Sequence, residues 1–128
     1  MKKIIKTDNS PAPIGPYSQA VQSGNMLFLS GQIALVPGTG DLANATIEHE
    51  TKQVMDNIKG ILDAADFSFS DVVKTTIFLT DMELFATVNN VYGQYFENNF
   101  PARETIAVKG LPKNVNVEIS MTAIKNNL

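Results

Sequence analysis

From Val115 to Thr122 the chain alternates strictly, with Val115, Val117, Ile119 and Met121 on one side and Asn116, Glu118, Ser120 and Thr122 on the other. A period of two belongs to a β-strand with one face in a core. Any fold of this chain must therefore hold a sheet with a dry side near its C-terminal end. The stretch 100–120, FPARETIAVKGLPKNVNVEIS, opens on a Pro-Ala-Arg corner, runs as a short strand, turns at Gly110-Leu111-Pro112 and returns as a second strand. Pro101 and Pro112 bracket the first of these strands, at positions where proline is tolerated. Arg103 stands at its mouth, with Thr105 and Ala107 on the same face. A guanidinium is a rigid two-pronged fork that fits a carboxylate, and a strand carboxylate within reach can hold and polarise a water. Arg103 is thus the candidate grip for a small acid, and Glu118 the candidate for serving the water that attacks it. The alternative for the pair is an ordinary salt bridge at the rim of the sheet.

The length of 128 residues fits one domain spanning 1–128, able to bury most of its apolar surface. A net charge of −3 and a pI near 5.0 leave no electrostatic footprint for nucleic acid or anionic membrane. Without cysteine there is no disulfide framework, thiolate nucleophile or cysteine-bearing metal site. With one histidine, no apolar run of membrane length and only Ile4-Ile5 after Lys2-Lys3, the expectation is a soluble, cytoplasmic protein with no metal site.

Along the chain, KKIIK reads as a first short strand, and NSPAPIGPY (9–17) as an ordered loop that buries Ile14 and Tyr17. A second strand is expected over Ser18–Val21, a tight hairpin at Gly24-Asn25, and a third strand over Met26–Ile33, apolar on both faces around Leu27, Phe28 and Leu29. That strand breaks at Ser30-Gly31. A glycine there lets a ligand approach the backbone, or else marks a β-bulge. After a turn at Pro37–Asp41, a helix capped by Asn44 or Thr46 lays Ile47, Thr51, Val54, Ile58, Ile61, Leu62 and Ala65 on one stripe. His49, Glu50, Lys52, Gln53 and Lys59 fall off it, so His49 reads as a solvated helix residue and not a base. Val72–Leu79 is a β-branched strand. Thr80-Asp81-Met82-Glu83 has capping-box spacing for a second helix reaching about Glu97, with Phe85, Val88, Tyr92, Tyr95 and Phe96 on its apolar face. Asn89 lies close to that face, where its amide must either bond the local backbone or order a site residue.

The succession of strands and helices predicts an α+β domain, a mixed β-sheet with two helices packed on one face. The uncovered face would expose more apolar surface than monomers usually do, so a cyclic oligomer is expected, with sites in the clefts between subunits.

IGPYSQA (14–20), LSGQI (29–33), Val73-Lys74-Thr75-Thr76, FATVNNVYGQYF (85–96), FPAR (100–103) and LPKNVNVEI (111–119) closely resemble the Rid family, the reactive-intermediate deaminases formerly called YjgF, in its RidA branch. The likeness spans essentially the whole chain. It implies a chorismate-mutase-like fold and a homotrimer whose sheets form a central barrel, with active sites between subunits. The implied activity is hydrolysis of enamines and imines, such as 2-aminoacrylate and 2-iminobutanoate, to 2-oxo acids and ammonia, with no cofactor. By motif, Arg103 resembles the arginine that binds the substrate carboxylate and Glu118 the glutamate that positions water. Ser30 and Gly31 resemble the pocket wall, Tyr17 its aromatic lining, and Asn89 the helix asparagine near the site.

Three residues depart from the family pattern. Thr105, counted among the substrate-binding candidates, stands where a cysteine is common. Ser120 replaces a second carboxylate, and Glu104 stands beside Arg103 where a small residue is common, facing away from it. A non-catalytic module sensing a small carboxylate in the same cleft is the competing reading. Ribonuclease activity, also attached to the family, is opposed by the acidic pI and the absence of a basic-aromatic stripe.

Overall fold

The computed structural model describes residues 1–126. Its strands are β1 (Lys2–Ile5), β2 (Ala20–Ser23), β3 (Met26–Gln32), β4 (Val72–Leu79), β5 (Ala102–Ala107) and β6 (Val117–Ile124), with helices α1 (Ile47–Ala64) and α2 (Phe85–Gly93). The strands form one sheet in the order β1-β2-β3-β6-β4-β5, antiparallel throughout except for the parallel β4–β5 pair. This is an α+β fold with a mixed sheet and two helices.

The alternation that defines β6 places it at the centre. Val117, Ile119, Met121 and Ala123 point into the core and are almost wholly buried. The expected return of the chain beside β5 is not what happens. β5 pairs only with β4 and forms the sheet's edge, while β6 crosses over to fill the gap between β3 and β4. The physical reason lies in the two segments. ARETIA, half polar, with no residue fully buried and preceded by Pro101, suits an edge, whereas VEISMTAI has an apolar residue at every core-facing position.

α1 starts where Thr46 accepts a hydrogen bond from the His49 N–H at 3.1 Å. Its Val54, Met55, Ile58, Ile61 and Leu62 are fully buried against Leu27, Ile77, Leu79, Val117 and Ile119. Each such side chain contributes about 1.5–3 kcal/mol by leaving water. Glu50, expected off this stripe, is 0 % exposed. Its carboxylate accepts from the N–H groups of Asn116 and Val117 at 2.7 and 2.9 Å and from the Asn116 amide at 2.9 Å. The helix is thereby tied to the start of β6.

α2 is shorter than its pattern predicts. A 3-10 turn, Met82–Leu84, comes first, capped by Asp81, which accepts from the Glu83 N–H at 2.9 Å. No capping box from Thr80 forms, and the helix ends at Gly93 instead of continuing to Glu97. Tyr95 and Phe96 follow in a turn whose rings pack on Phe69, so their apolar spacing reflects packing and not helix. β2 begins at Ala20, two residues later than expected, and the Ser18 carbonyl instead accepts the Ser30 hydroxyl at 2.6 Å. The Gly24-Asn25 hairpin forms as expected, with Gly24 at φ +59°.

Both helices lie on one face of the sheet. The other carries Phe28, Ile106 and Ile4, each more than two-fifths exposed. No helix among the described residues is long and apolar enough to cross a membrane.

Candidate active site

The sheet register decides where each candidate points. Glu118 is paired with Phe78, and Phe78 in turn with Ile106, on the uncovered face. Arg103 is paired with Thr75, which is wholly buried beneath the helices. Arg103 and Glu118 therefore project from opposite faces, into two different cavities.

The Glu118 cavity has a volume of about 320 Å³ and is lined by Tyr17, Ser30, Gly31, Gln19, Gln32 and Glu118 with an apolar wall of Pro11, Ala12, Ile14, Ile33, Leu35 and Pro112. β3 shifts register between Leu29 and Gln32, so the Ser30-Gly31 break is a bulge. The bulge also serves the site. A Cβ on Gly31 would stand 2.9 Å from the Glu118 carboxyl carbon, so only glycine leaves room for that carboxylate. Of the two readings of this break the bulge is the one that forms, and the group that comes close to the Gly31 backbone is the Glu118 side chain. Burial pushes the Glu118 carboxyl above its ordinary pKa.

Tyr17 and Ile14 wall this cavity from the 9–17 loop, but at 47 % and 59 % exposed they are not buried as expected. The loop is held from beneath by Gln19. This buried amide accepts from the Thr7 N–H at 2.8 Å and donates to the carbonyls of Thr7, Ser10 and Pro11 at 3.0, 3.3 and 2.8 Å. Ser10 adds a 2.6 Å bond to the Asn57 carbonyl of α1. Gln19 was not among the candidates. Its place between Tyr17 and Ala20 marks it in the sequence only as a polar residue at a strand start.

The Arg103 cavity, about 460 Å³, is lined by Asn89, Tyr92, Gly93, Phe100, Pro101 and Arg103. The guanidinium carbon lies 5.6 Å from the ring centre of Phe85 and 5.2 Å from that of Tyr92, within cation–π range. Among the described residues no carboxylate pairs with it. Glu104 faces the other way, as expected: it pairs with Lys74 at 2.8 Å and accepts the Thr76 hydroxyl. The bonds from Lys74 and Thr76 hold its carboxyl below the usual range. Thr105, one step further along the Arg103 face, has a buried hydroxyl without a hydrogen-bond partner. Asn89 is half-buried on the cavity wall, and among the described residues its amide makes neither of the two bonds expected as alternatives, to the local backbone or to a site residue.

One chain thus gathers Tyr17, Ser30, Gly31 and Glu118 on one side, and Asn89 and Arg103, with Thr105 behind, on the other. It does not bring the arginine within reach of the glutamate, and the rim salt bridge between them does not exist. No group of three His, Asp or Glu side chains placed to hold a metal occurs among the described residues.

A family model described as "Endoribonuclease L-PSP" matches residues 7–125. A RutC family protein of Pyrococcus horikoshii is 50 % identical over 98 % of this chain and 99 % of its own length. A human protein named 2-iminobutanoate/2-iminopropanoate deaminase is 44 % identical over 100 % of this chain and 93 % of its own. Among solved structures, a putative endoribonuclease of Thermotoga maritima superposes with a TM-score of 0.96 at 51 % identity, covering 99 % of this chain and 100 % of that one.

Proposed function

From the premise that this chain belongs to the Rid family, the YjgF and RutC proteins whose model carries the endoribonuclease L-PSP description, we propose that it hydrolyses small 2-imino acids to 2-oxo acids and ammonia. The observation that carries this reading is the unpaired Arg103 fork. Among the described residues no carboxylate pairs with this arginine, and its side chain lines a cavity of small-molecule size. The name borne by the human relative supports the choice of substrate, 2-iminobutanoate or 2-iminopropanoate.

The chemistry asks little of the protein. A protonated imine carbon is already electrophilic. Arg103 holds the substrate's carboxylate and so fixes that carbon. Glu118 takes a proton from water as the oxygen adds, giving a carbinolamine, and returns it to the departing nitrogen. The C–N bond then breaks, the hydroxyl gives up its proton to the departing ammonia, which leaves as ammonium, and the C=O forms. The raised pKa of Glu118 suits a group that must both accept and give back a proton. Tyr17, Ser30 and Gly31 wall the glutamate's side and Asn89 the arginine's, with Thr105 behind the arginine and outside the cavity lining. The chemistry calls for no metal or cofactor, and the reading places the protein in the cytoplasm.

Because Arg103 and Glu118 leave opposite faces of one sheet, the reading requires two chains. A homotrimer that turns the Phe28 and Ile106 face inward, as a central barrel, would bury that face and set each arginine against a neighbour's glutamate cleft. The competing reading, a carboxylate sensor without turnover, shares the arginine and differs at the glutamate. An RNA substrate meets a net charge of −3.

The deciding experiment generates 2-aminoacrylate or 2-iminobutanoate with a dehydratase and measures release of the oxo acid. The expected outcome is acceleration by the protein, nearly abolished by Arg103→Ala and only partly recovered by Arg103→Lys. Binding of 2-oxobutanoate with no acceleration would establish the sensor instead. A stable monomer in light scattering would remove the inter-chain site.

A further inference from the structure

α2 presents Phe85, Asn89 and Tyr92 at spacings of four and three residues, one stripe of the helix. The two aromatic members of that stripe lie against the Arg103 guanidinium. Tyr92 is itself fixed. It is buried, and its hydroxyl donates to Thr75 Oγ1 at 3.0 Å. Thr75 is the residue registered against Arg103 across the β4–β5 pair. Arginine, ring, hydroxyl and neighbouring strand therefore close into one loop of contacts. Phe85 is different. At 38 % exposed it adds little to the core, yet it overlies the arginine. Core packing alone does not account for a phenyl ring there.

An arginine normally gives up much rotamer freedom when it grips a ligand, and that loss weakens binding. Stacking on rings removes that freedom beforehand and also strips water from the faces of the guanidinium, leaving its donor edge free. We propose that Phe85 and Tyr92 are positioning residues: a two-ring clamp that sets the plane in which Arg103 receives a carboxylate. The proposal rests on the deaminase reading for the identity of the ligand, but the clamp itself is a property of the chain.

Arg103 is the only arginine in the sequence, so its Nε–H resonance in an amide-type nitrogen–proton spectrum needs no assignment. Phe85→Leu keeps apolar bulk and removes the ring. In the full-length assembly it is expected to move that resonance toward the position of a free arginine. It should also raise the Kd for 2-oxobutanoate and the KM for the imine by roughly 3- to 10-fold, with kcat changed less than about twofold. Phe85→Tyr, which restores a ring, is expected to return all three values toward the parent's, and Tyr92→Phe to retain most of the binding. An unshifted Nε–H in the parent protein, or a Phe85→Leu variant with unchanged resonance, Kd and KM, overturns the clamp. A ring-shifted resonance that moves in Phe85→Leu, in a protein that binds no 2-oxo acid, keeps the clamp and sinks the deaminase reading.

Discussion

Arg103 and Glu118 stand on opposite faces of the same sheet, two strands and three residue steps apart. At about 4.8 Å per strand and 3.3 Å per residue, their Cα atoms are about 14 Å apart before the side chains diverge. No rotamer change within one chain unites them.

The proposed imine hydrolysis predicts an active site shared between two chains. Arg103→Ala and Glu118→Ala proteins should each be nearly inactive. Unfolded together, mixed in equal amounts and refolded, they should regain about one-quarter of the parent rate, the fraction of interfaces that combine an intact arginine with an intact glutamate. Mixed samples that stay inactive, with mixed assembly verified by mass spectrometry, would place both groups' function elsewhere.

Gly31 packs directly against the Glu118 side chain. In Gly31→Ala the new Cβ would lie 2.9 Å from the Glu118 carboxyl carbon, so that side chain must swing away. Displacement of a reacting group by about 1 Å costs on the order of 100-fold in rate. The expected result is a kcat lowered by one to two orders of magnitude, with the circular dichroism spectrum unchanged and 2-oxobutanoate binding largely kept.

The pH dependence should report the half-buried Glu118 carboxyl. Burial raises the pKa of Glu118 in the folded chain, so activity should fall on acidification at a pH above the ordinary carboxylate range. Stability moves in the other sense. A carboxyl whose folded pKa exceeds its unfolded one costs nothing below the unfolded value, and stability is lost as pH rises through the folded value. Glu118→Gln should therefore melt at a higher temperature than the parent at neutral pH, and the gap should close in acid. Equal melting curves at both pH values would show that the carboxylate is not desolvated.

Glu50 carries the largest expected stability effect. Glu50→Ala strips three hydrogen bonds from the start of β6 and leaves the buried N–H of Val117 without an acceptor. An orphaned buried donor costs about 1–3 kcal/mol, and the lost packing adds to that. A drop of roughly 3 kcal/mol in urea-denaturation stability is expected. A change below about 0.5 kcal/mol would mean that the loop re-pairs elsewhere.

Several parts of this molecule were readable in the chain of letters. The period of two in VEISMTAI and the apolar stripe from Ile47 to Leu62 report burial, and the β-branched run VVKTTIFL reports a strand, because a side chain's shape, hydrophobicity and spacing are local properties. Glu50 was misread for the same reason. It sits between Ile47 and Val54 on the buried stripe, but counting only apolar residues passes over a carboxylate whose donors lie 66 and 67 residues away. Tyr95 and Phe96 misled in the opposite direction, since apolar spacing marks what is packed and not whether the backbone stays helical beyond Gly93. The family motifs named the arginine and the glutamate, but motifs carry no direction in space.

Taken alone, the sequence determined which residue types were available and which faces must be dry: one arginine, a glutamate on an alternating strand, glycine where a strand breaks, and apolar positions enough for a helix-covered sheet. Tertiary structure alone decided that β6 lies between β3 and β4, that Phe85 and Tyr92 flank the guanidinium, and that Arg103 and Glu118 turn their backs on each other. Strand order and facing depend on contacts between segments distant in the chain, and the energy of such contacts exists only once the chain has closed on itself.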